Sequence, residues 1–197
     1  MAERAPARLI LASGSPARRD LLARAGIPFE VMPASIGEPT GEGFNDPRHY
    51  VQTVAWQKAA AVAPRVDTGM VVAADTVGWL DGHVIGKPAD EADARRILLT
   101  LGGREHELWT GVVLWRRPDD LQFAWQERSI VHFTKLTDAQ LDAYLATRQW
   151  QGCSGAYAIQ EHDDPYVQLR EGSLSNVIGL PMESLRLRLA LIGAIER

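Results

Sequence analysis

The chain has 197 residues, 46% hydrophobic and 23% charged, with 21 Lys and Arg against 25 Asp and Glu. A chain of this length buries roughly 70% of its unfolded surface and needs no disulfide framework, and its single cysteine, Cys153, excludes an internal disulfide. A net charge of −4 argues against a nucleic-acid-binding face, and no apolar stretch approaches the ~18 residues of a membrane span.

In chain order, residues 9–12 form a short apolar strand, stopped by Ser13-Gly14-Ser15-Pro16. The run is too short for a secretory signal, so the expected compartment is the cytoplasm. Ser15 is a natural N-cap and Pro16 a natural first helical residue for a helix over 17–25 that Gly26 stops. Residues 29–32 read as a second strand, and 33–45, rich in Gly, Pro and Glu, as a loop long enough to suggest a role of its own. Asp46-Pro47 opens a helix that runs through Lys58 to about Val62.

Residues 70–74 are a continuous apolar strand of the kind buried on both faces. Strands 77–80 and 83–85 flank Asp81-Gly82, a hairpin signal. An amphipathic helix covers 90–101, and two longer strands cover 107–116 and 122–133. Thr137 caps a helix to about Thr147; 152–160 and 166–170 read as short strands around an acidic loop, and 182–195 as the last helix. Strands alternating with helices, together with antiparallel hairpins, predict an α/β fold. The expected form is a mixed twisted sheet flanked by helices, a single domain over 1–197 with two lobes around a central cleft.

Two segments carry chemistry. Ser13, Ser15 and Arg18 surround a strand-to-helix junction, where backbone N–H groups lack partners and the helix dipole is positive. Hydroxyls, amides and a guanidinium there suit a phosphate, although capping by Ser15 with a solvated Arg18 accounts for the same residues. The Walker pattern is missing, so this is no P-loop. Asp75, leaving the apolar strand, is placed to hold a divalent metal or activate water. Lys87, in Gly86-Lys87-Pro88 after the hairpin, folds back toward the same end and would stabilise charge as a phosphorus–oxygen bond breaks. The alternative makes Asp75 a turn cap and Lys87 a surface charge.

Glu38 in the long loop and Lys58 on the following helix read, taken singly, as solvated side chains. Gln160 offers an amide to a base edge or simply ends a strand. The segment 172–181 reads as a Gly/Ser-rich connector, and Cys153 as a small core residue. The five histidines show no metal-ligand spacing, which argues against zinc.

Taken together, LILASGSPARRDLLARAGIPFEV, VVAADTVGWLDGHVIGKP, GAYAIQ and GSLSNVIGLPMESL resemble the Maf family of nucleotide pyrophosphatases over nearly the whole chain. The resemblance implies a fold related to inosine triphosphate pyrophosphatases and usually a homodimer. It also implies Mg²⁺- or Mn²⁺-assisted hydrolysis of a nucleoside triphosphate to the monophosphate and pyrophosphate. By matching position, Asp75 would be the general base or metal-organising acid, and Glu38 would assist at the metal. Ser13, Ser15, Arg18 and Lys58 would grip the triphosphate, and Lys87 would stabilise leaving charge. Family members acting on dTTP and UTP tend to carry Arg directly after S-x-S-P, Thr after the Asp, and Gln in the GAYxIQ element. Thr76 and Gln160 agree, whereas Ala17 departs, as does the acidic run 161–164. The family's link to septum formation leaves a second reading, a nucleotide-binding regulator without turnover.

Overall fold

A computed structural model describes residues 8–37, 39, 41, 43–159, 165–192 and 194–195. In chain order they form β1 (Leu9–Leu11), α1 (Pro16–Arg24), β2 (Glu30–Val31), α2 (Pro47–Val62), β3 (Gly69–Leu80), β4 (His83–Ile85) and α3 (Glu91–Leu101). There follow β5 (Arg104–Arg117), β6 (Gln122–Phe133), α4 (Asp138–Ala146), β7 (Val167–Glu171), α5 (Leu174–Ile178) and α6 (Met182–Leu191). The strands make one seven-stranded sheet in the order β2-β1-β3-β5-β6-β7, with β4 added to β3. β1 pairs in parallel with β2 and β3, and all other pairs are antiparallel. The mixed, helix-flanked α/β sheet expected from the sequence is present. No described helix is long and apolar enough to cross a membrane.

Local signals explain most element ends. Ser15, Asp46, Asp90 and Thr137 cap their helices through side-chain oxygens, and Thr137 with Gln140 completes a capping box. Asp81 and Gly82 both take positive φ, 52° and 81°, as a two-residue hairpin turn with right-handed twist requires.

Four expectations change. The strand expected to stop at Ala74 runs unbroken from Gly69 to Leu80, because β5 pairs with it along its length, from Gly69↔Arg117 to Trp79↔Glu107. Asp75 therefore lies within a strand rather than at its end. The expected strand over 152–160 is, among the described residues, a turn and a 3-10 segment Ser154–Ala156 around Gly155, whose φ of 82° breaks an extended run. The expected connector 172–181 contains α5, capped by Ser173 through its side chain. The last helix also ends earlier, at Leu191.

Side-chain alternation on β3 divides the molecule. Met70, Val72 and Ala74 face α1 and α6 in one core with Leu22, Leu185 and Leu189. Val71 and Ala73 face α2, against Ala55, Ala59 and Val62. Beyond this level each face has another core. α3 and α4 pack over Leu108, Val131 and Phe133, and Ile36 and Phe44 of the long loop pack on Tyr50, Val54 and Val77. Asp75 and Thr76 fall at the junction of these cores, one residue on each face of the sheet.

Candidate active site

The other edge of β3 has a notch at this junction. β1 pairs only with Met70–Val72, its line extended by Ala12 N–H to the Val72 carbonyl, and β4 resumes pairing at Gly78. Between them the chain of β1 turns away through Ser13 and Gly14 into α1. A cavity of about 670 Å³ opens there, within the range of small-molecule sites. Its lining includes Ser13, Ser15, Ala17, Arg18, Lys58, Asp75, Thr76 and Lys87.

Eight of the ten residues singled out from sequence thus meet in one cleft. Glu38 and Gln160, expected at the metal and at the base, lie outside the described residues, as does the acidic run 161–164. A smaller hollow of about 200 Å³, lined mainly by apolar groups such as Leu9, Ile27 and Phe29, contains none of these residues.

On the α2 face, Lys58 Nζ donates to Asp75 Oδ1 at 2.7 Å, with the two side chains only 9% and 8% exposed. Lys58 falls on the buried stripe of α2 with Val51, Val54, Ala55, Ala59 and Val62, which rejects the solvated reading of this lysine. A buried pair of this kind contributes little net stability, since desolvation offsets the attraction. What it does supply is a charged carboxylate and a cation in fixed relation inside a cleft.

The α1 face carries Arg18 and the two serine hydroxyls. Arg18 is buried: Nε donates to the Gly179 carbonyl at 2.7 Å, Nη1 to Ser13 Oγ at 3.2 Å and Nη2 to Thr76 Oγ1 at 3.2 Å. Ser13 Oγ also accepts from Ser15 N–H at 3.2 Å, and Ser15 Oγ caps Arg18 N–H at 3.4 Å. The cap orders the same loop that lines the cavity.

Several lining residues gave no sequence signal of function. Gln149 and Gln151 flank Trp150, which is buried and donates its indole N–H to the Leu145 carbonyl at 3.0 Å. Ser154 Oγ donates to the Thr76 carbonyl at 3.0 Å, and Gly155 N–H donates to the Gly86 carbonyl at 3.1 Å, tying this turn to both β3 and the lysine loop. Cys153 is a cleft-wall residue rather than a core one: its thiol reaches the Gln149 carbonyl at 3.4 Å. Burial pushes its pKa up, against the opposing charge of Lys87. The turn has no apolar periodicity, so only the tertiary structure reveals its place.

Tyr157 forms part of the wall, and its hydroxyl lies 2.7 Å from His106 Nε2. His106 is 3% exposed, and burial, followed by the charge of His132, depresses its pKa to about 4 from an ordinary 6.5. The unfolded chain therefore takes up this proton first as pH falls. The stability due to the neutral imidazole is complete above pH 6.5 and is lost as pH falls through 4. Between pH 7 and 5 the expected loss is about 2 kcal/mol. Replacing His106 with Gln should flatten that part of the thermal-melting pH profile; an unchanged slope would refute the assignment.

Metal ligation is testable on the donor set. Among the described residues no three His, Cys, Asp or Glu side chains cluster as a metal cage. A Mg²⁺-type ion bound with substrate phosphates needs only one or two protein carboxylates. Asp75 in the cleft fits that requirement.

A family model described as Maf-like protein matches residues 8–191. A dTTP/UTP pyrophosphatase of Rhodopirellula baltica is 41% identical over 181 residues, 91% of this chain and 80% of its own length. A dTTP/UTP pyrophosphatase of Bacillus cereus is 38% identical over 178 residues, 90% of this chain and 92% of its own. Among solved structures, the Ham1 protein of Staphylococcus aureus covers 64% of this chain and 72% of its own, with TM-score 0.46 and 16% identity. A nucleoside-triphosphatase / dITP/XTP pyrophosphatase of Mycobacterium abscessus covers 94% and 93%, with TM-score 0.41 and 15% identity.

Proposed function

The chain belongs to the Maf-like protein family, and from that premise we propose that it is a nucleoside triphosphate pyrophosphatase acting on dTTP, UTP or a modified pyrimidine nucleotide. The observation that carries this reading is the buried Lys58–Asp75 pair on one side of a cleft whose other side holds Arg18, Ser13 and Ser15. One side supplies a carboxylate for water and metal, and the other supplies donors for phosphate oxygens.

In the proposed reaction, water attacks the α-phosphorus, its oxygen bonds to phosphorus, and the bond to the bridging oxygen of the β-phosphate breaks. The water's proton passes to the Asp75 carboxylate, and pyrophosphate leaves with the bond's electron pair. Lys58 holds Asp75 in place and contacts the triphosphate. Ser13, Ser15 and Arg18 grip the phosphates, and Lys87 offsets the charge that builds on the leaving group. Asp75, with Glu38 as the resemblance implies, would hold a Mg²⁺ or Mn²⁺ ion. Such an ion lowers the charge on the phosphate oxygens and the pKa of water.

The rest of the reading is a homodimer in the cytoplasm, one domain over 1–197 with two lobes, taking free nucleotides rather than nucleic acid. The continuous sheet supports the single domain, and the net charge of −4 supports the choice of small ligand. A septum regulator that binds without turnover is not favoured, because a binder has no need of a carboxylate held beside a lysine in the cleft.

A screen for pyrophosphate release over canonical and modified nucleoside triphosphates tests the proposal. Release should require Mg²⁺ or Mn²⁺, stop with a chelator and return when metal is restored. No release from any substrate by folded protein refutes it.

Ala17 lines the cleft and is half-buried, so substrate preference has a direct test. Ala17→Arg should raise kcat/KM for dTTP and UTP by roughly tenfold, the worth of a charged hydrogen bond to substrate. An unchanged value means that position 17 does not set the preference.

A further inference from the structure

Thr110 of β5 lies directly opposite Thr76 of β3 and has no solvent exposure (0%). Its hydroxyl is 2.9 Å from that of Thr76 and 3.1 Å from the backbone carbonyl of Asn176. On the far side, Arg18 Nη2 approaches the Thr76 hydroxyl at 3.2 Å.

Both ends of this chain have fixed polarity. A guanidinium nitrogen only donates, and a carbonyl oxygen only accepts. Thr110 therefore donates to Asn176, Arg18 donates to Thr76, and Thr76 donates to Thr110 at 2.9 Å, with the Gly179 carbonyl at 3.5 Å as its more distant alternative acceptor. With its protons all pointing one way, each bond polarises the next.

The relay is anchored at both ends. Asn176 is fully buried, with Nδ2 donating to Ser129 Oγ at 2.8 Å. At the other end Gly179 accepts from Arg18 Nε, and its φ of 121° admits few other residues. A Cβ at Gly179 would stand 3.2 Å from Thr76 Oγ1 and 3.4 Å from Arg18 Nε, so the backbone closes over the same junction.

We propose that Thr110 is a positioning residue for this cleft: through the Thr76 hydroxyl it fixes the plane of the Arg18 guanidinium against the substrate's phosphates. This rests on the reading of Arg18 as a phosphate-gripping residue. It also gives Thr76, the residue associated with substrate choice, a role exerted through Arg18. The donor direction explains why a hydroxyl is needed at 110: Val would fill the same space and leave the Gly179 carbonyl, 3.5 Å away, as the acceptor for Thr76, so the oxygen that receives Arg18 Nη2 is drawn out of its position.

Thr110→Val should raise KM for UTP roughly tenfold with kcat changed less than about twofold, the pattern of a lost binding contact. Thr110→Ser should restore both. In an Arg18→Ala background, Thr110→Val should cause no further change in kcat/KM, whereas a general packing defect would act equally in both backgrounds. Equal effects in the two backgrounds, a wild-type KM, or failure of Ser to rescue overturns the proposal. If Thr110→Val does not fold, Thr110→Ala removes the same hydroxyl with a smaller side chain and is scored the same way. UTP affinity by calorimetry is measured in parallel and should weaken by the same factor. Absence of turnover in the unaltered protein would count against the pyrophosphatase reading, while the affinity comparison would still decide the role of Thr110.

Discussion

Asp75→Asn is expected to slow pyrophosphate release by roughly 10²–10⁴-fold, the scale of a lost acid–base group, while nucleotide binding stays near its original strength. The amide has the volume of the carboxylate and keeps an oxygen to accept from Lys58 Nζ, now at 2.7 Å. It cannot take a proton from water and is a poor ligand for a hard cation. The fold should survive because the lysine keeps its hydrogen bond, although it loses its counter-charge and some stability with it. Single-turnover release with purified variant, alongside calorimetric nucleotide binding, separates the two effects. Full turnover in the variant would remove Asp75 from the chemistry. Loss of binding in proportion to rate would make it a grip rather than a reacting group.

Gly111→Ala is expected to lower both stability and rate, although residue 111 is not among those lining the cleft. Gly111 lies across from Asp75 in the β3–β5 ladder, on the face that α2 covers. A Cβ there would meet the Val51 carbonyl oxygen at 2.5 Å, its carbon at 2.6 Å and Gln52 N at 2.8 Å. All three are helix backbone, which cannot rotate aside, so α2 must move off the sheet. Lys58 lies two turns further along the same helix and would withdraw from Asp75. Overpacking of this kind costs about 1–3 kcal/mol, roughly 2–12 °C in melting temperature for a chain of this size. A displacement near 1 Å at the reacting groups lowers rate by about 10²-fold. Thermal melting and kcat measured together check this. A variant with unchanged melting temperature and kcat would show that the absent side chain at 111 does not set the position of α2.

These expectations differ in how far they were visible in the primary structure. The strand-to-helix junction was, because its logic is local. Ser15, Pro16 and Arg18 fall within one helical turn, and a cap, a first helical residue and a cation there act through atoms a few bonds apart. The hairpin at Asp81-Gly82 and the helix starts at Asp46 and Thr137 were legible for the same reason.

Pairing was not legible. Whether a strand ends at Ala74 or continues through Asp75 depends on whether a neighbour offers hydrogen bonds there, and β5 does so from more than thirty residues away in sequence. The burial of Lys58 follows from α2 lying across the sheet, a contact allowed by the missing side chain of Gly111. The turn bearing Gln149, Gln151 and Cys153 reaches the cleft because Trp150 is buried and Gly155 bonds to Gly86, neither of which leaves a periodic trace.

By itself, then, the sequence determined the mixed α/β class, the capped strand-to-helix junction at Ser15 and, through its ordered motifs, the family. Those properties reside in short segments whose geometry the backbone sets locally. The tertiary structure alone decided which residues face one another. It set Asp75 against Gly111 on one face and Thr76 against Thr110 on the other, so that consecutive residues of one strand serve opposite walls of the cleft. The physical reason is the two-residue period of the strand: identity says what each side chain can do, and only the register of a distant partner says which face it does it on.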